Sequence, residues 1–308
     1  MREFELVRRI CAENGRLPAS VLIPPGDDMA MLALPTSAAS RLLAAADSVV
    51  EGVHVPAGCD PFVFGRKAVL RNLSDVAAMG GARPLATLAC LFVPPGLDGD
   101  RIARILDGVR ETAEAWHAPL VGGDTTAVAH GAPLALAVTI LATPVDATAR
   151  IATRRDARAG DGVYATGALG RAWDRATGLG RHLDFTPRIA VGQALARTLG
   201  DRLGAMIDLS DGLGRDLGHV AGGSGVSIEI DANALPLAEG ATAEDALRDG
   251  EDYELAFTAR GAVPREIEGV RVTRIGTVVA GRAAVLVRGA LEGVPAVEAR
   301  SMGFEHEL

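Results

Sequence analysis

Acidic residues cluster with glycine, serine or threonine in six short segments of the sequence. Carboxylate oxygens are hard ligands of the kind that Mg²⁺ prefers, and glycines allow a backbone to approach a phosphate group closely. If the six segments meet in the folded chain, they could hold several Mg²⁺ ions against phosphate groups. The segments are Gly26-Asp27-Asp28, Asp47-Ser48, Asn72-Leu73-Ser74-Asp75, Gly122-Gly123-Asp124-Thr125, Asp208-Leu209-Ser210-Asp211-Gly212 and Gly250-Glu251-Asp252-Tyr253.

Each acidic segment also has a purely structural interpretation. Asp47 could end a strand at the surface, and Asp75 could pair with Arg71 one helical turn earlier, which contributes only about 0.2–0.5 kcal/mol when exposed. Asp211 could favour the start of a helix through the helix dipole. Asp208 follows Ala-Met-Ile and is expected near the interior, where an acid needs a partner, a metal or a proton. Six such segments in one chain favour the functional interpretation.

Other catalytic signatures are missing from the sequence. It has no GxxxxGK[ST] phosphate-binding loop, and no GxGxxG opens a helix after the first strand. The HExxH and GxSxG patterns of zinc proteases and hydrolases do not occur, and neither does the HRD and DFG pair of protein kinases. Phosphate chemistry in this chain would therefore use another scaffold.

The composition predicts a globular cytoplasmic protein. The 308 residues carry a net charge of −8, which argues against nucleic-acid binding because that needs cationic surface. No run of about 18 apolar residues predicts a membrane helix, and the start does not resemble a signal peptide. Three cysteines without a CxxC pair indicate neither a disulfide framework nor a zinc site. Lys67 is the one lysine among 31 basic residues; it could bind ATP or phosphate, pair with Asp75 or Asp47, or be an accident of composition.

Helical and strand patterns alternate through both halves of the chain and predict an α+β fold with α/β-like alternation. The helix predicted over 61–80 has one apolar face and one face that carries Lys67, Arg71, Asn72 and Asp75. An arginine- and glycine-rich stretch over 144–162 suggests a boundary between domains 1–147 and 148–308. Further helices are predicted over 4–17 and 187–200, a Gly-Gly turn at 122–123, and strands over 42–50, 86–93, 133–143, 226–230, 253–259 and 271–278.

Six longer motifs occur in order along the chain: GDD (26–28), ADSVVEGVH (46–54), KAVLRNLSDVAAMGGARP (67–84), GGDTT (122–126), MIDLSDGL (206–213) and GEDYEL (250–255). Together they resemble the thiamine-monophosphate kinase family, of the aminoimidazole ribonucleotide synthetase (PurM-like) superfamily. The resemblance implies ATP-dependent phosphorylation of thiamine monophosphate to thiamine diphosphate, by direct in-line transfer assisted by several Mg²⁺ ions. It also implies a cytoplasmic homodimer with a two-domain PurM-like fold, in which the N-terminal domains of both chains form a barrel.

The resemblance assigns site residues by their place in these motifs, and it implies no general base. The family commonly has Ser/Thr-Thr where this chain has Ala45-Ala46, so Ala46 could serve a metal only through its backbone carbonyl. The implied metal ligands are Asp28, Ala46, Asp47, Asp75, Asp124, Asp208 and Asp211; the ATP contacts are Gly123, Asp124, Arg154 and Ser210; the thiamine-phosphate contacts are His54, Glu251 and Phe304.

Four other functions fit the sequence less well. Selenophosphate synthetase would need a reactive cysteine in a glycine-rich context, which Cys11 lacks. The hydrogenase-maturation carbamoyl dehydratase carries a C-terminal cysteine, whereas this chain ends Glu-His-Glu-Leu. Aminoimidazole ribonucleotide synthetase does not have GEDYEL in this setting. A regulator that binds ATP or thiamine phosphate without catalysis would not need so many metal-type aspartates, and turnover would distinguish it from an enzyme.

Overall fold

The computed structural model describes residues 21–24, 27–33, 41–174, 176–289 and 297–304. The helix predicted over 4–17 lies outside these residues. Within them the chain forms two sheets with helices packed against them, so the predicted mixed fold class is confirmed. No helix in the described ranges has the length and apolar character that crossing a membrane requires.

The first sheet has six strands in the order β1-β2-β3-β6-β4-β5. The strands predicted over 42–50, 86–93 and 133–143 are confirmed as β3, β4 and β6. Over the described residues the sheet stays open, with β1 and β5 at its edges, so one chain does not form the expected barrel by itself. The strands are β1 (Val21–Ile23), β2 (Ala30–Ala33), β3 (Arg41–Val50), β4 (Ala82–Val93), β5 (Leu120–Ala127) and β6 (Ala135–Pro144).

The Gly-Gly turn predicted at 122–123 is wrong, because both glycines lie within strand β5. This strand runs parallel to β4, and Gly123 is the register partner of Ala89. A Cβ atom on Gly123 would lie only 1.9 Å from the carbonyl oxygen of Ala89. The glycine therefore serves the close approach of two strands rather than a reversal of the chain.

Helix α1 (Pro61–Ala78) lies between the first sheet and the second half of the chain. It begins at Asp60, whose side chain accepts hydrogen bonds from the backbone N–H groups of Phe62 and Val63. The helix predicted over 61–80 is thus confirmed. Its polar face is not solvated, since Lys67 and Asn72 are both 0% exposed. Helix α2 (Gly99–Ala115) packs against α1 on its other side.

The second half forms an eight-stranded sheet in the order β14-β13-β9-β12-β7-β10-β8, with β11 paired to β12. The predicted helix over 187–200 and the strands over 226–230, 253–259 and 271–278 are confirmed as α3, β9, β10 and β12. The strands are β7 (Gly162–Thr166), β8 (Leu203–Asp208), β9 (Ser227–Asp231), β10 (Leu255–Ala259), β11 (Glu266–Ile267), β12 (Val270–Val279), β13 (Ala284–Arg288) and β14 (Val297–Glu298). The helices are α3 (Ile189–Leu199), α4 (Leu213–Ser224) and α5 (Ala243–Arg248), with 3₁₀ turns at Arg181–Leu183, Gly200–Arg202 and Ala232–Ala234.

One hydrophobic core extends from the first half into the second. Leu73 and Met79 of α1 belong to the same buried cluster as Leu195 of α3, Met206 of β8 and Leu255 of β10. The two sheets therefore face a common interior through α1. The domain boundary at 147/148 falls between the two sheets in sequence and stays a prediction.

Two glycines set the distance between α1 and α2, and we expect Gly65→Ala and Gly108→Ala each to destabilise the protein. A Cβ on Gly65 would lie 2.1 Å from the carbonyl oxygen of Ile105, and one on Gly108 would lie 2.2 Å from that of Phe62. Such overpacking costs about 1–3 kcal/mol, although glycine to alanine within a helix normally stabilises by about 0.5–1 kcal/mol. Urea unfolding measures the loss.

The matched control is Gly99→Ala at the start of α2, where an added Cβ meets no atom within 4 Å. This variant should keep or slightly raise the free energy of unfolding. If Gly65→Ala and Gly108→Ala behave in the same way as the control, the backbones of the two helices do not approach as closely as described.

Candidate functional site

Three carboxylates from distant parts of the sequence converge at one point. Asp28 precedes β2, Asp75 lies in the last turn of α1, and Asp208 ends β8. One oxygen of each lies within 4.8 Å of the others. Hard oxygen donors at this spacing fit a Mg²⁺ ion, which is usually completed by water or by phosphate oxygens. All three are among the metal ligands expected from the sequence.

Two of these carboxylates, Asp75 and Asp208, are costly to ionise where they lie. Asp28 and Asp208 are 8% and 4% exposed. Burial and the charge of Asp28 raise the pKa of Asp208 well above its ordinary value, and Ser74 Oγ donates a hydrogen bond to Asp208 Oδ2 at 2.6 Å. Burial and the charges of Asp208 and Asp47 raise the pKa of Asp75 in the same way. A bound cation would relieve this repulsion, because it offsets the like charges.

Arg154 supplies one positive charge to the cluster. Its Nε and Nη2 atoms donate to Asp28 Oδ2 at 3.0 Å and to Asp28 Oδ1 at 2.8 Å, which is a two-pronged ion pair. Its backbone N–H donates to Asp27 Oδ2 at 3.1 Å. Burial and the charge of Asp28 raise the pKa of Asp27 to about 7. The guanidinium thus lies among the carboxylates, beside any cation that they would bind.

A cavity of about 220 Å³ is lined by many of the residues assigned from the sequence. Arg71 and Trp173 also line it, so its wall combines negative charge, a guanidinium and aromatic faces. Such a wall suits a ligand that is both ionic and aromatic. The assigned residues that meet here are Ala46, Asp47, His54, Ser210, Asp211, Glu251 and Phe304.

Asp47 lies within β3 and forms an ion pair with Arg71, with 2.9 Å between Oδ2 and Nε. The same guanidinium donates through Nη1 to the carbonyl oxygen of Ser48 at 2.6 Å. The alternative pairing of Arg71 with Asp75 is therefore wrong, because α1 packs on β3 and the arginine reaches that strand. Ala46 lies in β3 opposite Thr139, and its backbone carbonyl is the one group that it can offer to a metal.

His54 is fixed by its own turn. Its Nδ1 accepts a hydrogen bond from the backbone N–H of Val50 at 3.1 Å, which requires Nδ1 to be unprotonated. The ring is 8% exposed and lines the cavity. The interpretation of His54 as a turn residue and its interpretation as a ligand contact are thus compatible.

The turn after β8 is held by an acid that the sequence analysis missed. Asp216 of α4 accepts hydrogen bonds from the backbone N–H groups of Asp211 and Gly212, at 3.2 and 3.1 Å. The backbone N–H of Phe304 donates to the carbonyl oxygen of Asp211 at 2.9 Å, which places the aromatic ring at the cavity. The sequence does contain a signal for Asp216, because an acid in the first turn of a helix can accept hydrogen bonds from the preceding turn, and this helix follows an acidic segment.

The turn before β10 is joined to the turn after β8. The backbone N–H of Glu251 donates to the carbonyl oxygen of Ser210 at 2.7 Å, and that of Tyr253 donates to Leu209 at 2.8 Å. Glu251 and Tyr253 have φ angles of +58° and +51°, which non-glycine residues rarely adopt. This unusual backbone turns the Glu251 side chain inward, where it meets Lys67. The pairings of Lys67 with Asp75 or Asp47 are not formed.

Gly123 and Asp124 lie apart from the residues described above. They belong to the edge strand β5, where Asp124 is exposed and accepts a hydrogen bond from Thr126 Oγ1 at 2.6 Å. Neither residue lines the cavity, and Asp124 is not one of the three converging carboxylates. Their assignment to ATP and metal binding stays a prediction.

Trp173 and His182 are further residues that the sequence analysis missed. They stack on each other, with ring centroids 5.4 Å apart and planes 16° from parallel. His182 contacts Lys67, which is 115 positions away in the sequence. No motif surrounds either residue, so only the folded structure could reveal them.

The comparisons with known proteins extend over nearly the whole chain. Residues 26–143 match the family model described as AIR synthase related protein, N-terminal domain. The thiamine-monophosphate kinase of Haemophilus influenzae is 32% identical over 99% of this chain and 98% of its own length. The protein of the same name from Escherichia coli K12 is 34% identical, over 90% of each chain.

A solved structure shows the same architecture. The structure of AaThiL complexed with AMPPCP and TMP has a TM-score of 0.76, with 28% identity and 96% of both chains covered. This likeness confirms the PurM-like fold expected from the sequence.

We expect Mg²⁺ to stabilise the protein more at about pH 8 than at about pH 6. The folded-state pKa values of Asp75 and Asp208 are raised, so the stability that these groups provide as neutral acids is present at low pH and is lost as the pH rises. A Mg²⁺ ion that replaces the protons restores that stability. Thermal unfolding with and without excess Mg²⁺ at the two pH values measures the difference.

Asp208→Asn should raise the unfolding temperature of the Mg²⁺-free protein by about 2–4 °C at about pH 8, and it should abolish the effect of Mg²⁺. The exposed Asp107→Asn on α2 is the control and should change neither value. An equal Mg²⁺ effect at both pH values, or one that persists in Asp208→Asn, would contradict a cation site at these carboxylates.

Proposed function

The chain belongs to the thiamine-monophosphate kinase family, and from this we infer that it transfers the γ-phosphoryl group of ATP to thiamine monophosphate. The products are thiamine diphosphate and ADP. The observation that carries the proposal is the cluster of three converging carboxylates, in which Asp75 interacts with the charge of Asp47 in the wall of a cavity with ionic and aromatic faces. The first feature suits metal-bound phosphates and the second suits a cationic aromatic substrate.

The acceptor substrate is proposed to bind in this cavity. Phe304 offers an aromatic face to its cationic thiazolium ring. Glu251 offers a carboxylate to the same end of the molecule, and His54 lines the cavity from the turn after β3. Arg71 provides a positive charge for the phosphate.

The donor side is assigned to the carboxylates and their neighbours. Mg²⁺ bound there would neutralise the charge of the phosphates and orient them. We propose that the ATP phosphates lie near Arg154 and Ser210, with Gly123 and Asp124 of β5 as further contacts. The proposed metal ligands are Asp28, Asp47, Asp75, Asp124, Asp208, Asp211 and the carbonyl of Ala46.

The transfer itself needs little acid–base chemistry from the protein. A phosphate oxygen of thiamine monophosphate attacks the γ-phosphorus, and the bond from this phosphorus to the oxygen bridging to the β-phosphate breaks. The second pKa of a phosphate monoester is about 6, so the nucleophile is already largely deprotonated at neutral pH. The residues of the site therefore act by binding and alignment. We propose a direct in-line transfer without a phosphoenzyme.

The decisive experiment incubates the protein with ATP, Mg²⁺ and thiamine monophosphate and resolves the products by chromatography. We expect thiamine diphosphate and ADP in equal amounts, and a loss of kcat of about 10²–10³-fold in Asp208→Asn, by analogy with the removal of other groups that stabilise transition-state charge. Asp107→Asn should retain full activity. Release of ADP without thiamine diphosphate would indicate another acceptor, and ATP binding without turnover would favour a regulator.

We also propose that the enzyme is a cytoplasmic homodimer. Free thiols at Cys59 and Cys90 are compatible with a reducing compartment. Among the described strands, β5 pairs with β4 alone and offers unpaired backbone groups at its outer edge, and its Val121 is 62% exposed. Contact between copies at this edge would cover Gly123 and Asp124 and place the donor site near the interface.

Light scattering after size exclusion should give twice the 31.7 kDa mass of one chain. Val121→Asp should shift the mass toward that of one chain, because it buries a charge in the proposed interface. A monomeric wild-type protein, or a dimer that this substitution leaves intact, would contradict an interface at β5.

A further inference from the structure

The single lysine of the chain is buried behind the wall of the cavity. Lys67 is 0% exposed, and its ammonium has three hydrogens and three partners among the described residues. Nζ donates to the carbonyl oxygen of His54 at 2.8 Å, to His182 Nδ1 at 2.5 Å and to Glu251 Oε2. Because every donor is used and none reaches the surface, Lys67 does not contact a bound ligand itself.

His182 makes contacts through both of its ring nitrogens. Nε2 lies 3.1 Å from the carbonyl oxygen of Gly178. Nδ1 lies against Lys67 Nζ and 3.1 Å from Glu251 Oε2. The buried ring therefore packs against both members of the Lys67–Glu251 ion pair.

Lys67 joins three segments that each contribute to the cavity. One is the turn that carries His54, the second is the turn that carries Glu251, and the third is the 3₁₀ turn Arg181–Leu183. Through this last turn the ammonium also supports Trp173, which stacks on His182 and lines the cavity. A substitution of Lys67 would therefore alter the positions of all three segments that line or support the cavity.

The two oxygens of the Glu251 carboxylate have different surroundings. Oε2 contacts both Lys67 and His182, whereas Oε1 makes no hydrogen bond to the described part of the chain. Burial alone would raise the pKa of Glu251, but the contact with His182 and the charges of Lys67 and Arg71 lower it well below its usual value. Burial lowers the pKa of Lys67 to about 8, so its ammonium persists at neutral pH. The cavity thus receives one oriented oxygen of an ionised carboxylate.

We propose that Lys67 is a positioning residue for the thiamine end of the acceptor substrate. It holds the Glu251 carboxylate and the His54 turn in the arrangement that binds the cationic rings. The phosphate-transfer groups lie elsewhere, on Asp28, Asp75 and Asp208, and do not contact Lys67. The inference rests on the proposed function and predicts that loss of Lys67 affects the acceptor substrate selectively.

The test compares steady-state kinetics of the wild-type protein and Lys67→Met, which keeps the length of the side chain without its charge. We expect the KM for thiamine monophosphate to rise by about 10–100-fold, while kcat and the KM for ATP stay within about 3-fold. Arg110→Met, which removes an exposed cation on α2, should change none of these values. A merely structural role would change both KM values together or neither.

A double-mutant cycle with Glu251→Gln keeps the proposal falsifiable if Lys67→Met folds poorly. The double variant leaves no unpaired charge at this position, so we expect its unfolding temperature to exceed that of Lys67→Met. In the Glu251→Gln background, Lys67→Met should raise the KM for thiamine monophosphate at least about 5-fold less than in the wild-type background. Equal effects in both backgrounds would overturn the proposal.

The same assay separates this inference from the proposed function. If the wild-type protein phosphorylates thiamine monophosphate and Lys67→Met leaves its KM unchanged, the role of Lys67 is wrong and the function stands. If the wild-type protein gives no thiamine diphosphate, the function is wrong and the inference falls with it.

Discussion

Two cations of helix α1, Lys67 and Arg71, are largely buried between the two halves of the chain, and the rest of the site depends on how each of them is compensated. Lys67 meets Glu251 from the second half, and Arg71 meets Asp47 from the first sheet. A buried charge that loses its partner destabilises a protein by several kcal/mol. The second half can therefore pack on α1 only in the position that brings these charged partners together. The same position of α1 also forms the cavity and brings the three carboxylates together.

The buried cations of the site are paired with opposite charges, whereas the clustered carboxylates are compensated less completely. The cations Lys67 and Arg71 each have a carboxylate partner. By contrast, burial and the charge of Asp208 raise the pKa of Asp75, and burial and the charge of Asp28 raise the pKa of Asp208, while Arg154 reduces the repulsion. The protein thus retains repulsion between the carboxylates of Asp75, Asp208 and their neighbours. Hydrogen bonds such as that from Ser74 to Asp208 hold these carboxylates in position. Functional sites often reduce stability in this way, and here the reduction falls on the groups best suited to a divalent cation.

The sequence predicts the local elements well, because their signals are local. Three apolar residues before Asp208 correctly indicated a buried acid, and the apolar spacing of α1 placed that helix to within two residues of its end. The turn predicted at Gly122 and Gly123 is wrong because that prediction also used only local signals. A Gly-Gly pair is typical of a turn, and nothing beside it in the sequence shows that Ala89 lies against it in the sheet.

Contacts between distant segments could not be predicted from the sequence in the same way. A helical projection shows which residues share a face with Lys67, but its actual partner, Glu251, is 184 positions away. His182 and Trp173 belong to no motif. The family resemblance supplied His54, Glu251 and Phe304, which no periodicity would have grouped, and the structure brings all three to one cavity. Gly123 and Asp124 lie at the edge of the first sheet, away from the cavity and from the three carboxylates.

The core shared through α1 has a consequence for the order of events during synthesis. When only the first half has left the ribosome, Leu73 and Met79 lack the members of their buried cluster that β8 and β10 supply, and the ammonium of Lys67 lacks Glu251. A nascent chain of this length would expose apolar surface of the kind that chaperones bind. We therefore expect the first half to complete its fold only after residue 251 has emerged, late in translation.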